Sequence, residues 1–415
     1  MQLRTRLLTP LAALAALLCA TSSGAQVATF DTTHSLFHEA PTRSNMTVYT
    51  PSTDLEVTPW EFLSLRAGWE ADVVSGASVA VKAGPTYQTV HPGADVVTTA
   101  SVHDLRNSAR GGFMLRKDIV SFTGGYNYST ENDYRSNSFN VAARTEPLQH
   151  DTQLEAAYAH NFDDVCNRVQ TAGNPATLSR ALEDSTGCFT SSATRTKDAI
   201  SVDSLQGSWS QAWTPTFVMQ LVYNVSVTDG FQSDPYRSVI ISEGVEAQEH
   251  VPNDRTRQSV TLKTNFYLRP LRAALRISLR GYDDTWGIVS ETGELELEKY
   301  FGEAFRLLAR GRVYNQTGAV FWSDDYTGGN APLGPKGQYW SGDRELSPFW
   351  SWLGGVRGIY TVTPAHGRLL GIMSRLKVGA SFDLQNFYYS QFTLGGTPVT
   401  NTFAYFGGLE LSAIF

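Results

Sequence analysis

Cysteine is scarce in this sequence: three in 415 residues, one of them, Cys19, inside an apolar N-terminal run. That scarcity excludes a disulfide-dense scaffold and a cysteine-rich metal module. After the N-terminal run, no stretch approaches the roughly 20 consecutive apolar residues that a membrane helix needs. Positive charge is in deficit, with 33 Lys and Arg against 40 Asp and Glu, a balance that disfavours nucleic acid as a partner. The eight histidines are scattered and no Gly-x-Ser-x-Gly element occurs. No nucleophile and base can therefore be read onto one face, and the chain is not read as an enzyme. No catalytic, metal or cofactor residues are assigned. The pairs Gly124-Gly125, Gly354-Gly355 and Gly407-Gly408 lie in strand-like segments, where they mark close strand packing and not phosphate cradles.

What is present begins with an export signal. Arg4 and Arg6 precede a largely apolar run over residues 7–19, and Ser23-Gly24-Ala25 supplies small residues for cleavage. Residues 1–25 are predicted to be a cleaved signal peptide, too short and wrongly flanked for a retained helix. Leu18 occupies the position where a lipoprotein signal needs a small residue. Loss of two arginines leaves 31 basic against 40 acidic residues, so the mature chain carries a net charge of 31 − 40 = −9.

Residues 26–415 are predicted to form one all-β domain. In the last stretch Phe415, Ala413, Leu411, Leu409, Gly407 and Tyr405 make one row, with Glu410, Ser412 and Gly408 between them. Successive side chains of a strand point to opposite faces, so one face meets lipid and the other a polar interior. The chain ends on an aromatic, which resembles the C-terminal assembly signal of bacterial outer-membrane barrels and gives Phe415 that role. The same alternation recurs: Leu63, Leu65, Ala67, Trp69, Ala71 and Val73 against Ser64, Arg66, Gly68, Glu70 and Asp72; then Phe217, Met219, Leu221, Tyr223, Val225 and Val227. Arginine facing lipid at mid-membrane costs roughly 2–4 kcal/mol, so the charged rows face inward. Backbone in lipid must satisfy its own hydrogen bonds, which leaves a closed barrel as the spanning structure. Counting roughly seven short turns and eight variable loops gives a transmembrane antiparallel β-barrel of about 16 strands, with short periplasmic turns, long extracellular loops and both termini periplasmic. Trp60, Trp213, Phe217, Phe266, Tyr267, Tyr300, Phe301 and Phe305 fall on the turn side, where an aromatic girdle belongs. A soluble β-sandwich is the alternative fold, and it would not need arginines along so many inward rows.

Four segments, Val74-Ser75-Gly76-Ala77, Gly230-Phe231-Gln232-Ser233-Asp234-Pro235-Tyr236-Arg237, Tyr282-Asp283-Asp284-Thr285-Trp286-Gly287 and Asp343-Arg344-Glu345-Leu346-Ser347-Pro348, are together similar to an outer-membrane barrel family designated only as a domain of unknown function. The similarity spans nearly the whole mature chain. It implies a barrel and an outer-membrane location, and it supplies no substrate, partner or catalytic residue.

The most distinctive constellation is a candidate lumen charge ladder on four consecutive strands. It comprises Arg255, Arg257 and Lys263, then Arg276 and Arg280, then Glu294, Glu296 and Glu298, then Arg306, Arg310 and Arg312. A turn about Phe301-Gly302-Glu303 is predicted to set Glu298 opposite Arg306 and Glu294 opposite Arg310. Cross-strand opposite charges contribute roughly 0.2–1 kcal/mol each. Such a ladder is either a structural wall that neutralises itself or a transverse charge arrangement that filters solutes. Cys166 and Cys188 fall in one predicted loop over residues 163–197, and in an exported chain are expected to pair as a disulfide. Asp133, Asp163-Asp164, Asp234, Asp283-Asp284 and Asp324-Asp325 are expected in outer loops; as solvated acids they are ordinary, and as pairs they could take divalent cations that bridge lipopolysaccharide. His160 reads as a polar residue at a strand's outer end.

The functional expectation is a porin-like channel for small solutes whose loops partly occlude its mouth. The other class is a non-transport barrel, structural, adhesive or attached to an envelope machine. Expected partners are outer-membrane lipid and lipopolysaccharide, the barrel assembly machinery, and small solutes or other envelope proteins.

Overall fold

The computed structural model describes residues 27–40, 46–76, 80–83, 94–97, 102–148, 150–168, 189, 195–235, 237–241, 245–324, 337–394 and 397–415. The predicted signal peptide lies outside them. Sixteen strands form a closed antiparallel barrel in which each pairs with its neighbours in sequence. They are β1 Val27–Ala40, β2 Met46–Trp60, β3 Leu63–Gly76, β4 Val102–Lys117, β5 Val120–Thr130, β6 Tyr134–Thr145, β7 Thr152–Arg168 and β8 Arg195–Thr214. The second half holds β9 Phe217–Gly230, β10 Asp254–Leu268, β11 Ala273–Asp284, β12 Val289–Phe301, β13 Phe305–Gln316, β14 Phe349–Val362, β15 Arg375–Tyr389 and β16 Thr402–Ile414. Two-stranded ribbons ride on three connections: Ala80–Ala83 with Ala94–Val97, Ser238–Ile241 with Val245–Gln248, and Thr393–Leu394 with Thr397–Pro398.

Closure joins β1 to β16, running from Thr29 opposite Ile414 to Ala40 opposite Phe403. A closed sheet has no unpaired edge, which is what a lipid environment demands of strands. The outer face has the matching chemistry. Trp209, Leu221, Leu262, Leu279, Gly293, Val313 and Trp352 are direct partners across seven adjacent strands. Leu221, Leu279 and Val313 of that row stand exposed. In water so continuous an apolar belt would forfeit roughly 25 cal/mol per Å²; against hydrocarbon it costs nothing. The barrel is built to span a membrane.

One rim carries tight turns. Gly302 (φ +66°) closes β12 to β13, and Arg272 in the left-handed region caps the short helical turn Arg269–Leu271 between β10 and β11. Aromatic pairs gather at this rim: Trp60 stacked on Phe62 at 5.8 Å, Phe217 on Phe266 at 4.6 Å, and Phe301 against Phe305 at 5.9 Å. The opposite rim carries most of the longer connections and, among the described residues, a buried apolar cluster. Val251, Trp286, Ile288, Phe321, Trp322 and Phe392 pack there, each less than 6 % exposed. The packed core of this protein therefore lies at one mouth of the barrel, while the charged rows face its interior.

The β12–β13 hairpin differs from expectation by two residues. Phe301 pairs with Phe305 across residues 302–304, so Glu294 faces Arg312 and Glu296 faces Arg310. A three-residue turn fixes the register, and the even offset leaves every side chain on its expected face.

Candidate functional site: the mouth layer and the cavity beneath it

The site is assembled where β9, β11 and the long connection after β13 meet. Asp284, the last residue of β11, has a side chain with no exposed surface. It accepts hydrogen bonds from Arg255 Nε at 2.9 Å, Tyr282 Oη at 2.7 Å, and the backbone N–H groups of Trp286 at 2.9 Å and Ile288 at 3.0 Å. A buried carboxylate is tolerable only when so fully partnered. The Arg255 guanidinium also lies 4.0 Å over the Trp286 ring, whose Nε1 donates to the Asp254 carbonyl at 3.0 Å. Gly287 makes the turn possible with φ +86°, and a side chain there would strike Val320. Gly230 ends β9 with φ +116°, where an added Cβ would lie 2.1 Å from the Ala199 carbonyl oxygen.

Two connections, the one between β9 and β10 and the one between β13 and β14, are stitched together above this turn. Arg237 is ion-paired with Asp343 and lies 3.5 Å from Asp234. His250 and Trp340 exchange backbone hydrogen bonds at 3.1 and 2.8 Å, and Trp340 Nε1 donates to the Gln248 carbonyl at 2.7 Å. Glu249 accepts from the Asp234 N–H at 2.8 Å and from the Ser341 hydroxyl. Asp343 caps the turn Arg344–Leu346 by accepting the Glu345 N–H at 3.0 Å. Arg344 pairs with Glu39 at the end of β1 at 2.6 Å. Burial works against the charge of Arg237, yet Asp343, Asp234 and Glu249 hold its pKa above the ordinary arginine value. Burial, reinforced by Asp343 and Asp234, pushes the Glu249 carboxyl up to about 7 despite Arg237.

Beneath the layer is a cavity of about 620 Å³. Arg255, Arg257, Arg280, Tyr282 and Tyr314 supply its barrel wall, and Asp234, Glu249, Asp343 and Glu345 come from the loops. Arg257 donates to Thr228 Oγ1 at 3.1 Å, and Arg280 lies 5.5 Å from the Tyr282 ring centre. Neither has a carboxylate partner among the described residues.

The remaining ladder residues lie further toward the turn rim and are mostly paired. Glu298 sits between Arg276 at 2.5 Å and Arg306 at 3.0 Å, and Arg276 also reaches Glu296 at 3.3 Å. Arg310 binds Asp383 of β15 through two contacts at 2.7 and 2.8 Å. Arg357 of β14 pairs with Glu410 of β16. Arg310, Asp383, Arg357 and Glu410, with Glu296, line a second cavity of about 250 Å³. Lys263, Glu294 and Arg312 make no ion pair among the described residues, and Arg312 Nε is buried without a hydrogen-bond partner. The expected ladder omits Asp383 and Glu410, whose partners lie on strands not adjacent in sequence; inward parity is the signal that places both in the lumen.

The cysteine expectation needs correction. Among the described residues no disulfide bond joins two cysteines, and Cys188 lies outside them. Cys166 does not sit in a loop. The strands run beyond the predicted boundary, so Cys166 is a fully buried residue of β7 opposite Lys197 of β8, its N–H donating to the Asp133 carbonyl at 2.8 Å. Its sulfur is not a free thiol. Asp163 and Asp164 are likewise strand residues, and Tyr134 donates to Asp163 at 2.5 Å. Asp325 lies outside the described residues. Among the described residues no three His, Cys, Asp or Glu side chains group to hold a metal ion. His160 points outward on β7 and meets Asp203 at 2.9 Å, which also accepts from Tyr158 at 2.5 Å. Phe415 is tied to β1 through its N–H, which donates to the Ala28 carbonyl at 2.9 Å.

Compared with known proteins, residues 8–373 match the family described as a protein of unknown function, DUF3570. No curated protein matches the chain. Among solved structures it is similar to a bacterial polysaccharide outer membrane secretin, with 9% identity, 94% of this chain and 98% of that one covered, and a TM-score of 0.47. It is also similar to OccD3 (OpdP) of Pseudomonas aeruginosa, at 10% identity, 95% and 92% coverage and a TM-score of 0.44. Similarity to the ferric enterobactin receptor PfeA of the same organism covers 89% of this chain and 54% of the receptor, at 12% identity and a TM-score of 0.43.

Proposed function

This chain belongs to the DUF3570 family of proteins of unknown function, and we propose that it is a porin-like channel of the bacterial outer membrane, whose loops partly occlude its mouth. In this reading residues 1–25 are removed on export, both termini and the tight-turn rim face the periplasm, and the mouth layer faces outward. The observation that carries it is the placement of the core. Apolar burial is concentrated in the mouth layer, while charged and polar side chains surround cavities of about 620 and 250 Å³. Barrels of about 16 strands are wide enough to leave an aqueous channel. Lipid and lipopolysaccharide contact the outer belt, and the terminal Phe415 is the element offered to the barrel assembly machinery.

Within the channel the ladder divides by pairing. Arg276, Glu296, Glu298, Arg306 and Arg310 with Asp383 build a self-neutralising wall. Arg257, Arg280, Arg312 and Lys263 lack carboxylate partners among the described residues and give the lumen a local excess of positive charge, which filters solutes by charge. The alternative is a structural or adhesive barrel whose mouth layer binds other envelope proteins. Its support is that same layer, which is too well packed to be an idle loop cluster. Swelling of proteoliposomes in isotonic solutions of small sugars separates the two. Entry of pentoses and hexoses, falling off with size, is the result for a channel; exclusion of every solute assigns the barrel to the structural class.

A further inference from the structure

We propose that the cavity beneath the mouth layer binds a small zwitterion, its carboxylate held by Arg257 and Arg280 and its ammonium by Glu345. The inference rests on the channel reading only in requiring that solutes reach the lumen. Every other arginine close to this wall is committed: Arg255 to Asp284, Arg276 to Glu296 and Glu298, Arg237 to Asp343, Arg344 to Glu39. Arg257 and Arg280 are not. They come from adjacent strands at inward positions and flank Tyr282, which faces Ser259 between them. Arg257 is half-buried opposite Asp284, whose carboxylate Arg255 already holds, and Arg280 is exposed toward the cavity it lines, so neither has a carboxylate at ion-pair distance among the described residues and both can join an incoming anion. Arginine's planar fork suits a carboxylate.

The opposite wall is what turns an anion site into a zwitterion site. Asp234 and Asp343 are satisfied by Arg237, and Glu249 by Ser341 and a backbone N–H. Glu345 is different. Its N–H and carbonyl are engaged, with Asp343 and Gln316, but its carboxylate has no hydrogen bond or ion pair among the described residues. It is exposed by surface area because it opens into the cavity that it lines. A simple carboxylate would bind the arginines while meeting Glu345, Glu249 and Asp343; a simple amine would bind Glu345 while meeting two free guanidiniums. A molecule with both charges meets neither conflict. Trp286, Tyr314, Val251 and Leu346 are among the other lining residues and offer apolar surface for the body of the ligand. The volume suits a solute of amino-acid to dipeptide size.

The test is calorimetric titration of the full-length detergent-solubilised protein with three matched probes: phenylalanine, 3-phenylpropanoate and 2-phenylethylamine. Phenylalanine should bind at least about tenfold tighter than either single-charge analogue, as expected for one charge-assisted contact. Arg280→Gln should weaken phenylalanine about tenfold and leave the amine unaffected or improved. Glu345→Gln should bring 3-phenylpropanoate close to phenylalanine. Heat-modified gel mobility reports whether each variant keeps its barrel, and the wild-type ranking stands even if both variants fail to fold. Equal affinity for the three probes, no binding of any of them, or an unchanged ranking in folded variants would overturn the site. Binding is read without a membrane, so a silent barrel that kept this ranking would remove the channel and leave the site.

Discussion

Asp284 is the residue on which the mouth depends. Its carboxylate gathers Arg255, Tyr282 and two backbone N–H groups, and no bulk water can replace them. Asp284→Ala should destabilise the protein by roughly 3–5 kcal/mol, because it strands Arg255 in a buried position. Asp283→Asn should cost little, since Asp283 lies on the outer face and its side chain accepts, among the described residues, one hydrogen bond, from Gln258 at 3.0 Å. Urea titration in detergent micelles compares the two; equal effects would contradict the assignment. The sequence alone presents Asp283-Asp284 as a solvated loop pair, and spacing carries the correction. Leu279 faces out, so Arg280, Tyr282 and Asp284 face in, and strict alternation makes the second aspartate the buried one. Glu249 was not legible in this way. Its environment comes from Arg237, Asp234, Ser341 and Asp343, two of them in the distant connection after β13, and no local pattern foretells them. Its pKa of about 7 compares with roughly 4.3 for an unperturbed glutamate. The folded layer thus favours the protonated acid. That contribution is full below the ordinary carboxylate range and is lost as pH rises through about 7. Protease cleavage of the mouth loops should accordingly be slower at pH 5 than at pH 8, and Glu249→Gln should flatten the difference. Faster cleavage at pH 5 would reverse the sign and refute the coupling.

At the scale of elements, alternation decides which substitutions a strand accepts. Leu221 stands on the outer row of β9, opposite Trp209 and Leu262, whereas Gln220 faces Lys263. Leu221→Arg should destabilise by roughly 2–4 kcal/mol if the row lies near mid-membrane, and Gln220→Arg far less. Heat-modified gel mobility measures both, and indistinguishable defects would mean that the faces are misassigned. Deleting Phe415 removes the N–H bond to Ala28 and the terminal aromatic. Membrane insertion should fall while export stays normal, scored by fractionating cells; full insertion would make the residue incidental. Strand faces and strand number were legible because a period of two persists along each element. The β12–β13 register was less so. Pairing charges by sequence favours Glu298 opposite Arg306, but the turn places Leu308 opposite Glu298. The long side chains recover the same ion pair on the diagonal, at 3.0 Å. Cys166 failed for a related reason: polar Asp163 and Asp164 look like a loop start, while β7 runs on to Arg168 because β8 supplies partners as far as Arg195.

At the scale of the whole molecule, the barrel and its mouth layer are two structures of different legibility. Barrel strands pair with chain neighbours, so local patterns suffice. The layer is tied by Arg237 to Asp343 and by Arg344 to Glu39, across separations that no periodicity reports. Yet three of the segments that carry the family resemblance, Gly230 to Arg237, Tyr282 to Gly287 and Asp343 to Pro348, converge there, so the layer is what those sequences specify. If it partly closes a channel, breaking its central ion pair should open it. Arg237→Ala leaves Asp343, Asp234 and Glu249 facing one another without their cation. Single-channel conductance in planar bilayers, wild type beside Arg237→Ala, is the direct measurement. Wild type should give a small steady current and the variant a larger, noisier one. Silence from both proteins at every voltage would contradict the channel.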